Sequence, residues 1–225
     1  TPPARRQTSS RLSVQPTRIP ALWPDRILAQ DACAALAVQA RRAYSFVSMT
    51  DAKQLTLEEA AADTLLANLL SLYLHDLSVA FPSIEIGEDG RFTYANLPLY
   101  GSDPQRRLAF LAKDRGRPVG FALVTRGSPA SNDPNVWDVA EFFVIRGRRR
   151  TGTGRELATL LWNRLPGTWV VRASEGNPGA LPFWADVIAQ YTGGRAVESQ
   201  YQGNPHVVRV FTFEMMARPL TTRLA

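Results

Sequence analysis

From residue 54 onward the chain reads as short apolar runs punctuated by turn-forming residues. The alternation in Gln54-Leu55-Thr56-Leu57 predicts a short first strand. Thr56-x-x-Glu59 has the form of a capping box, and Leu66, Leu69, Leu70, Tyr73 and Leu77 then recur at helical spacing, predicting a helix over 59–78. Pro82 and the Gly87–Gly90 segment end that helix, and an irregular stretch follows. Leu108–Ala112 and Val119–Thr125 flank a polar turn in which Gly116 is the permissive residue, a strand-turn-strand signal. Val136–Ile145 is almost wholly apolar and predicts a central strand. A basic, glycine-containing turn leads from it into an amphipathic helix from Gly152 to Arg164, which Pro166-Gly167 stops. A strand over Thr168–Ala173, a helix from Pro178 to Gln190 and closing strands near 195–202 and 206–214 complete the pattern. The predicted fold class is α+β, with helices on both faces of a mixed, mostly antiparallel sheet. No internal repeat is visible.

Upstream, residues 1–24 mix Pro, Arg, Ser, Thr and Gln with few core-forming residues and predict a disordered tail. Ile27–Val47 is alanine-rich and predicts a helix with a weak apolar face. The expected organisation is a basic extension over 1–48 that is dispensable for chemistry, a domain over 49–216 and a tail over 217–225.

The formal charge of +6 belongs mainly to the extension: residues 1–48 carry seven arginines against Asp25 and Asp31. The rest of the chain holds 19 basic and 18 acidic residues, so the domain is near neutral and a nucleic-acid partner is disfavoured. Cys33 is the single cysteine and His75 and His206 the only histidines, which leaves little for a disulfide, a metal site or a Ser/His/Asp triad. No apolar run reaches the roughly 18 residues of a transmembrane helix, and no secretory signal is visible near the start. A soluble, cytoplasmic protein without membrane or metal partners is expected.

The chemistry is concentrated in Glu141-Phe142-Phe143-Val144-Ile145-Arg146-Gly147-Arg148-Arg149-Arg150-Thr151-Gly152-Thr153-Gly154-Arg155. A buried strand runs through a basic turn straight into a helix start, where backbone N–H groups and the helix dipole favour phosphate. Gly152 and Gly154 let the backbone approach an anion, and the arginines raise the local potential. The third glycine of a dinucleotide fingerprint is missing, since Leu157 occupies its place, and no P-loop lysine is present. A basic surface turn without function has the same local sequence. Glu141 is the only charged residue between Val139 and Ile145, and burial would raise its pKa toward that of a useful general base. A structural carboxylate paired with an arginine, or one turned to solvent, is the alternative.

Arg149-x-x-Gly152-x-Gly154, five residues after Val144, resembles the pyrophosphate-binding motif of the GNAT superfamily of N-acetyltransferases. Asn177-x-x-Ala180-x-x-Phe183-Trp184 resembles the asparagine-containing helix start after the fifth strand of those enzymes. Ala140–Val144 and Tyr73-Leu74-His75-Asp76 resemble a bacterial subgroup of predicted acetyltransferases. The resemblance covers about 49–214. It implies the GNAT fold, acetyl-CoA as co-substrate and direct acetyl transfer to a primary amine of an acceptor, small molecule or protein, with Glu141 as catalytic base. It further implies a fourth strand that bulges and splays from the fifth, so that the backbone of Phe143, Val144 and Ile145 holds the pantetheine arm. The pyrophosphate would lie on the amides of Arg149, Arg150, Thr151, Gly152, Thr153 and Gly154, with Arg155 near the phosphates and Asn177 beside the cofactor.

One position departs from the family pattern. Trp184 stands where many members carry a tyrosine that protonates the leaving thiolate, and an indole N–H is a very poor acid. Tyr191 is a substitute donor, or the thiolate leaves unaided. His75 and Asp76 close a helix that borders the acceptor site in this superfamily, with a structural role at the helix end as the alternative, while Trp137 and Trp169 read as core or sheet-surface residues. Cys33 lies outside the domain, which leaves a ping-pong mechanism without a nucleophile. The competing functions are a GNAT-fold protein that binds acyl-CoA without turnover and a basic nucleic-acid-binding module.

Overall fold

The computed structural model describes residues 54–215. The helix expected over 27–47 and both terminal segments lie outside the described residues. In chain order the elements are β1 (Leu55–Glu59), α1 (Thr64–Leu77), α2 (Leu99–Ser102), β2 (Arg107–Asp114), β3 (Arg117–Arg126) and β4 (Trp137–Val144). They continue through a short 3-10 turn (Arg146–Arg148) to α3 (Thr153–Arg164), β5 (Gly167–Ser174), α4 (Ala180–Thr192), β6 (Val197–Gln202) and β7 (Val207–Met215). The strands form one sheet in the order β1-β2-β3-β4-β5-β7-β6, and only β4 and β5 run parallel. The α+β architecture expected from the sequence, with a mixed and mostly antiparallel sheet, is the one observed.

The start of α1 differs from expectation. Thr56 and Glu59 belong to β1, whose Leu57 lies opposite Ala112 of β2, so strand pairing overrides the local capping pattern. The cap is Asp63, whose carboxylate accepts the Leu66 N–H at 3.0 Å. The β2–β3 connection is a two-residue turn in which Arg115 and Gly116 both adopt positive φ, the conformation that matches the twist of a hairpin.

Two cores flank the sheet. On one face α3 and α4 bury Ala158, Leu161, Trp162, Trp184, Val187 and Ile188 against Ala122, Val124, Val139, Val171 and Phe211. On the other, Leu66, Leu69 and Leu70 of α1 and Tyr100 of α2 cover Leu111, Phe121, Leu123 and Phe143. Trp137 and Trp169 are buried neighbours across the parallel pair, each donating its indole N–H to a backbone carbonyl. No helix among the described residues is long and apolar enough to cross a membrane.

Candidate active site

The site is built on an irregularity in β4. Val124 of β3 lies opposite Val139, but the preceding residue, Leu123, lies opposite Glu141, so Ala140 is an extra residue on β4. A bulge of this kind shifts the side-chain alternation by one position. Asp138 faces the α1 side of the sheet, and without the bulge Glu141 would face the other. With it, Glu141 and Phe143 both meet α1, while Phe142 packs on Phe183 and Trp184 of α4. The Glu141 carboxylate accepts hydrogen bonds from the Tyr73 hydroxyl of α1 at 2.5 Å and from the Tyr94 hydroxyl at 3.0 Å.

These contacts set its protonation. Burial pushes the Glu141 carboxyl above the ordinary carboxylate range; the Tyr73 and Tyr94 hydroxyls and the charge of Arg172 pull it back without cancelling the effect. Burial, reinforced by the charge of Glu141, drives both phenols upward, so they remain donors that orient the carboxylate. Tyr100 is pushed up to about 12 by the same two causes. Arg172 of β5 is itself held by Asp138, which is fully buried, through bonds of 2.9 and 2.8 Å, and burial cannot offset the upward pull of that partner on its pKa. Asp138 also accepts the Ser128 hydroxyl. The sequence assigned neither tyrosine a place at Glu141 and did not mark this ion pair: Tyr73 sits among core positions, and Tyr94 lies in an irregular stretch.

Next to Glu141 the sheet opens. The parallel β4–β5 pairing covers only Trp137–Val139 with Trp169–Val171, so Ala140–Val144 has no strand on that side. The Ile145 N–H donates to Val119 O, which by alternation turns Phe143 and Glu141 toward β3 and leaves the backbone groups of Phe142 and Val144 toward the gap. Of the three residues expected to face that gap, Val144 does so.

Beyond Val144 the 3-10 turn leads to Arg150 and Gly152, both at positive φ (60° and 85°), and Gly152 is the N-cap of α3. The Thr151 hydroxyl donates to Arg148 O at 2.9 Å and lies 3.0 Å from that of Thr153, which is buried. A Cβ at Gly154 would come within 3.1 Å of the Phe183 ring, so this glycine serves close packing between α3 and α4. Most arginines of the turn are already paired. Arg146 and Arg149 both bind Asp76, Arg148 binds Asp114 at 3.0 Å, and Arg155 binds Asp186 at 2.8 Å. Arg150 forms no ion pair among the described residues. Among the described residues, little unpaired positive charge is therefore left on the turn.

A model of the acetyltransferase (GNAT) family matches residues 68–186, more than half of the chain. The chain belongs to the GNAT family. An acetyltransferase from Thermus thermophilus shares the fold at 19% identity, with 73% of this chain and 100% of that one covered and a TM-score of 0.50. A GNAT family acetyltransferase from Bacillus cereus ATCC 10987 matches at 15% identity over 72% and 99% of the two chains, with a TM-score of 0.47. An aminoglycoside 6'-N-acetyltransferase complexed with coenzyme A matches at 15% identity over 73% and 99%, with a TM-score of 0.47. No protein with a curated description matches the sequence.

In this GNAT domain the remaining candidates fall into place. Asn177 lies in the loop after β5, where its N–H donates to Ser174 O and its carbonyl accepts the Ala180 N–H, both at 3.0 Å, shaping the start of α4. Trp184 is buried among Phe142, Phe183 and Trp162 and is a core residue. The Tyr191 hydroxyl donates to Asn163 at 2.6 Å, near the C-terminal end of α3. His75 is exposed beside Phe92. Asp76 faces Arg146 and Arg149 of the turn. His206, at the β6–β7 turn, packs on Gly176 and on the edge of Phe81.

Proposed function

We propose that the domain transfers an acetyl group from acetyl-CoA directly to a primary amine. The observation that carries this reading is the juxtaposition of a half-buried carboxylate, re-aimed by the Ala140 bulge, with an unpaired β4 edge that leads into a left-handed glycine helix start. In this reading the pyrophosphate rests on the amides from Arg149 to Gly154 and the pantetheine arm lies along β4, where Phe142 presents its backbone groups and Val144 its N–H, the Val144 carbonyl already accepting from Arg149. The carboxylate of Glu141 takes a proton from the acceptor ammonium, directly or through one water. The freed amine attacks the thioester carbonyl carbon and a backbone N–H stabilises the oxyanion; the C–S bond then breaks, and the second proton still carried by the nitrogen passes to the departing CoA sulfur or to solvent, leaving the neutral amide. The thiolate needs no protein acid at neutral pH because its basicity is modest.

Isothermal titration of acetyl-CoA into wild type and Gly152→Glu tests the cofactor site. The substitution places a β-carbon at φ 85° and a carboxylate where phosphate is to bind, and is expected to weaken binding by about tenfold or more. Equal affinities would move the cofactor away from this turn. Folded wild-type protein that fails to bind acetyl-CoA would remove the reading altogether.

A second reading, acyl-CoA binding without turnover, draws on the burial of Trp184 where many relatives have an acidic tyrosine. If Trp184 only packs, Trp184→Phe is expected to cost about 1–3 kcal/mol of stability while turnover stays within a few fold. Thermal unfolding together with thiol release against an amine panel checks both. A collapse of turnover with stability retained would assign the indole a role in the reaction.

A further inference from the structure

Asp76 is the penultimate residue of α1, at the negative end of the helix dipole. On helix grounds alone a carboxylate is unfavourable there. Its surroundings explain why it is charged nevertheless. Oδ1 accepts Arg146 Nε at 2.9 Å and lies 2.8 Å from Arg146 Nη2, and Oδ2 accepts Arg149 Nη2. Burial opposes the charge, but the bonds from Arg146 and Arg149 outweigh it and hold the carboxyl below its ordinary range.

Arg149 is thereby anchored at two points. Its Nη2 is on Asp76, its Nε donates to Val144 O at 2.8 Å, and the guanidinium lies 5.5 Å from the centre of the Phe143 ring. It joins the end of α1 to the edge of β4 as a strut. The next residue, Arg150, is held at φ 60°, a conformation that a non-glycine residue keeps only when its flanks are fixed. On one flank is the Arg149 strut, and on the other Thr151 is tied to Arg148 O. The same helix face carries Tyr73, one turn before Asp76, on the Glu141 carboxylate. One helix thus braces both the carboxylate and the glycine turn.

We infer that Asp76 is a positioning residue that preorganises the turn 146–152 for the CoA pyrophosphate, an assignment that rests on the function proposed above. Its value as a test lies in the sign of the effect. Electrostatics alone says that removing a negative charge beside a polyphosphate site tightens binding. Preorganisation says the reverse, because a turn released from Arg146 and Arg149 must be ordered again when the ligand arrives.

The experiment is titration of free CoA into the full chain as wild type, Asp76→Asn and Asp76→Glu, with amide hydrogen exchange over 146–152 in the absence of CoA. Asp76→Asn is expected to bind about tenfold more weakly, the scale of one lost charge-assisted hydrogen bond, and to exchange faster across the turn. Affinity equal to or tighter than wild type would overturn the assignment. If Asp76→Asn does not fold, Asp76→Glu decides: it keeps the charge but not the reach, so weaker binding supports the strut and wild-type binding overturns it. Wild-type protein that binds no CoA would remove the underlying reading and the assignment with it. Wild-type binding with an undiminished Asp76→Asn variant overturns the assignment alone.

Discussion

Glu141→Gln is expected to lower kcat by about 10²–10⁴-fold while acetyl-CoA affinity is retained, the pattern of a lost general base. The substitution keeps the shape of the side chain and one oxygen that accepts from Tyr73 or Tyr94, turns an NH2 donor to the other hydroxyl, and removes the charge and the capacity to take a proton. Single-turnover thiol release with an accepted amine, beside titration of acetyl-CoA, separates the two quantities. A variant that keeps its kcat would return Glu141 to the role of a structural carboxylate.

The pH dependence follows from the same burial. The base must be ionised to act, so kcat/KM should rise with pH through the raised pKa of Glu141, and that limb should vanish in Glu141→Gln. Stability runs the opposite way. A carboxyl with a folded-state pKa above its unfolded value contributes fully below the unfolded value, and the contribution is lost as pH climbs through the folded one. At neutral pH the wild type therefore carries a cost that the amide does not. The variant's Tm is expected to equal or exceed that of wild type at neutral pH, with the difference closing on acidification. Loss of Tm together with activity at neutral pH would indicate that the carboxylate supports the fold.

The extent to which this site was legible in the sequence depends on the range of the interaction. The runs that became β2 to β5 and the turn into α3 are local patterns, and each lies within two residues of its expected bounds. The orientation of Glu141 is not local. Plain alternation from Asp138 would put Ala140 and Phe142, not Glu141, on the α1 side, and nothing in Ala140 itself announces an extra residue. The apparent capping box at Thr56 failed because its competitor, β2, lies about fifty residues on. Asp76 read as a possible acceptor contact, whereas its partners, Arg146 and Arg149, are seventy residues away. Buried polar contacts of this reach are set by the finished fold, which brings charges together that no spacing rule connects.

Gly120→Ala is expected to damage fold and site together. Gly120 stands opposite Val144, and a Cβ there would lie 2.2 Å from Phe143 O and 3.2 Å from Val144 Cα. Both are backbone atoms, so no rotamer relieves the clash and one strand must move. β3 is paired to β2 on its other side, with one register shift beside Gly120, whereas this part of β4 has no strand on its other side, so β4 is the strand expected to yield. Its displacement weakens the Ile145 N–H bond to Val119 O and shifts Val144 O away from Arg149 Nε. Overpacking at this depth costs about 3 kcal/mol, and for a domain of this size lowers Tm by about 6–12 °C. Because the displaced residues line the gap beside β5, acetyl-CoA affinity should fall as well, even at temperatures where the variant is fully folded. Thermal unfolding and titration on the same preparation check the pair. A variant as stable as wild type would show that β3 and β4 separate without cost, whereas lost stability with retained affinity would place the pantetheine arm away from this edge.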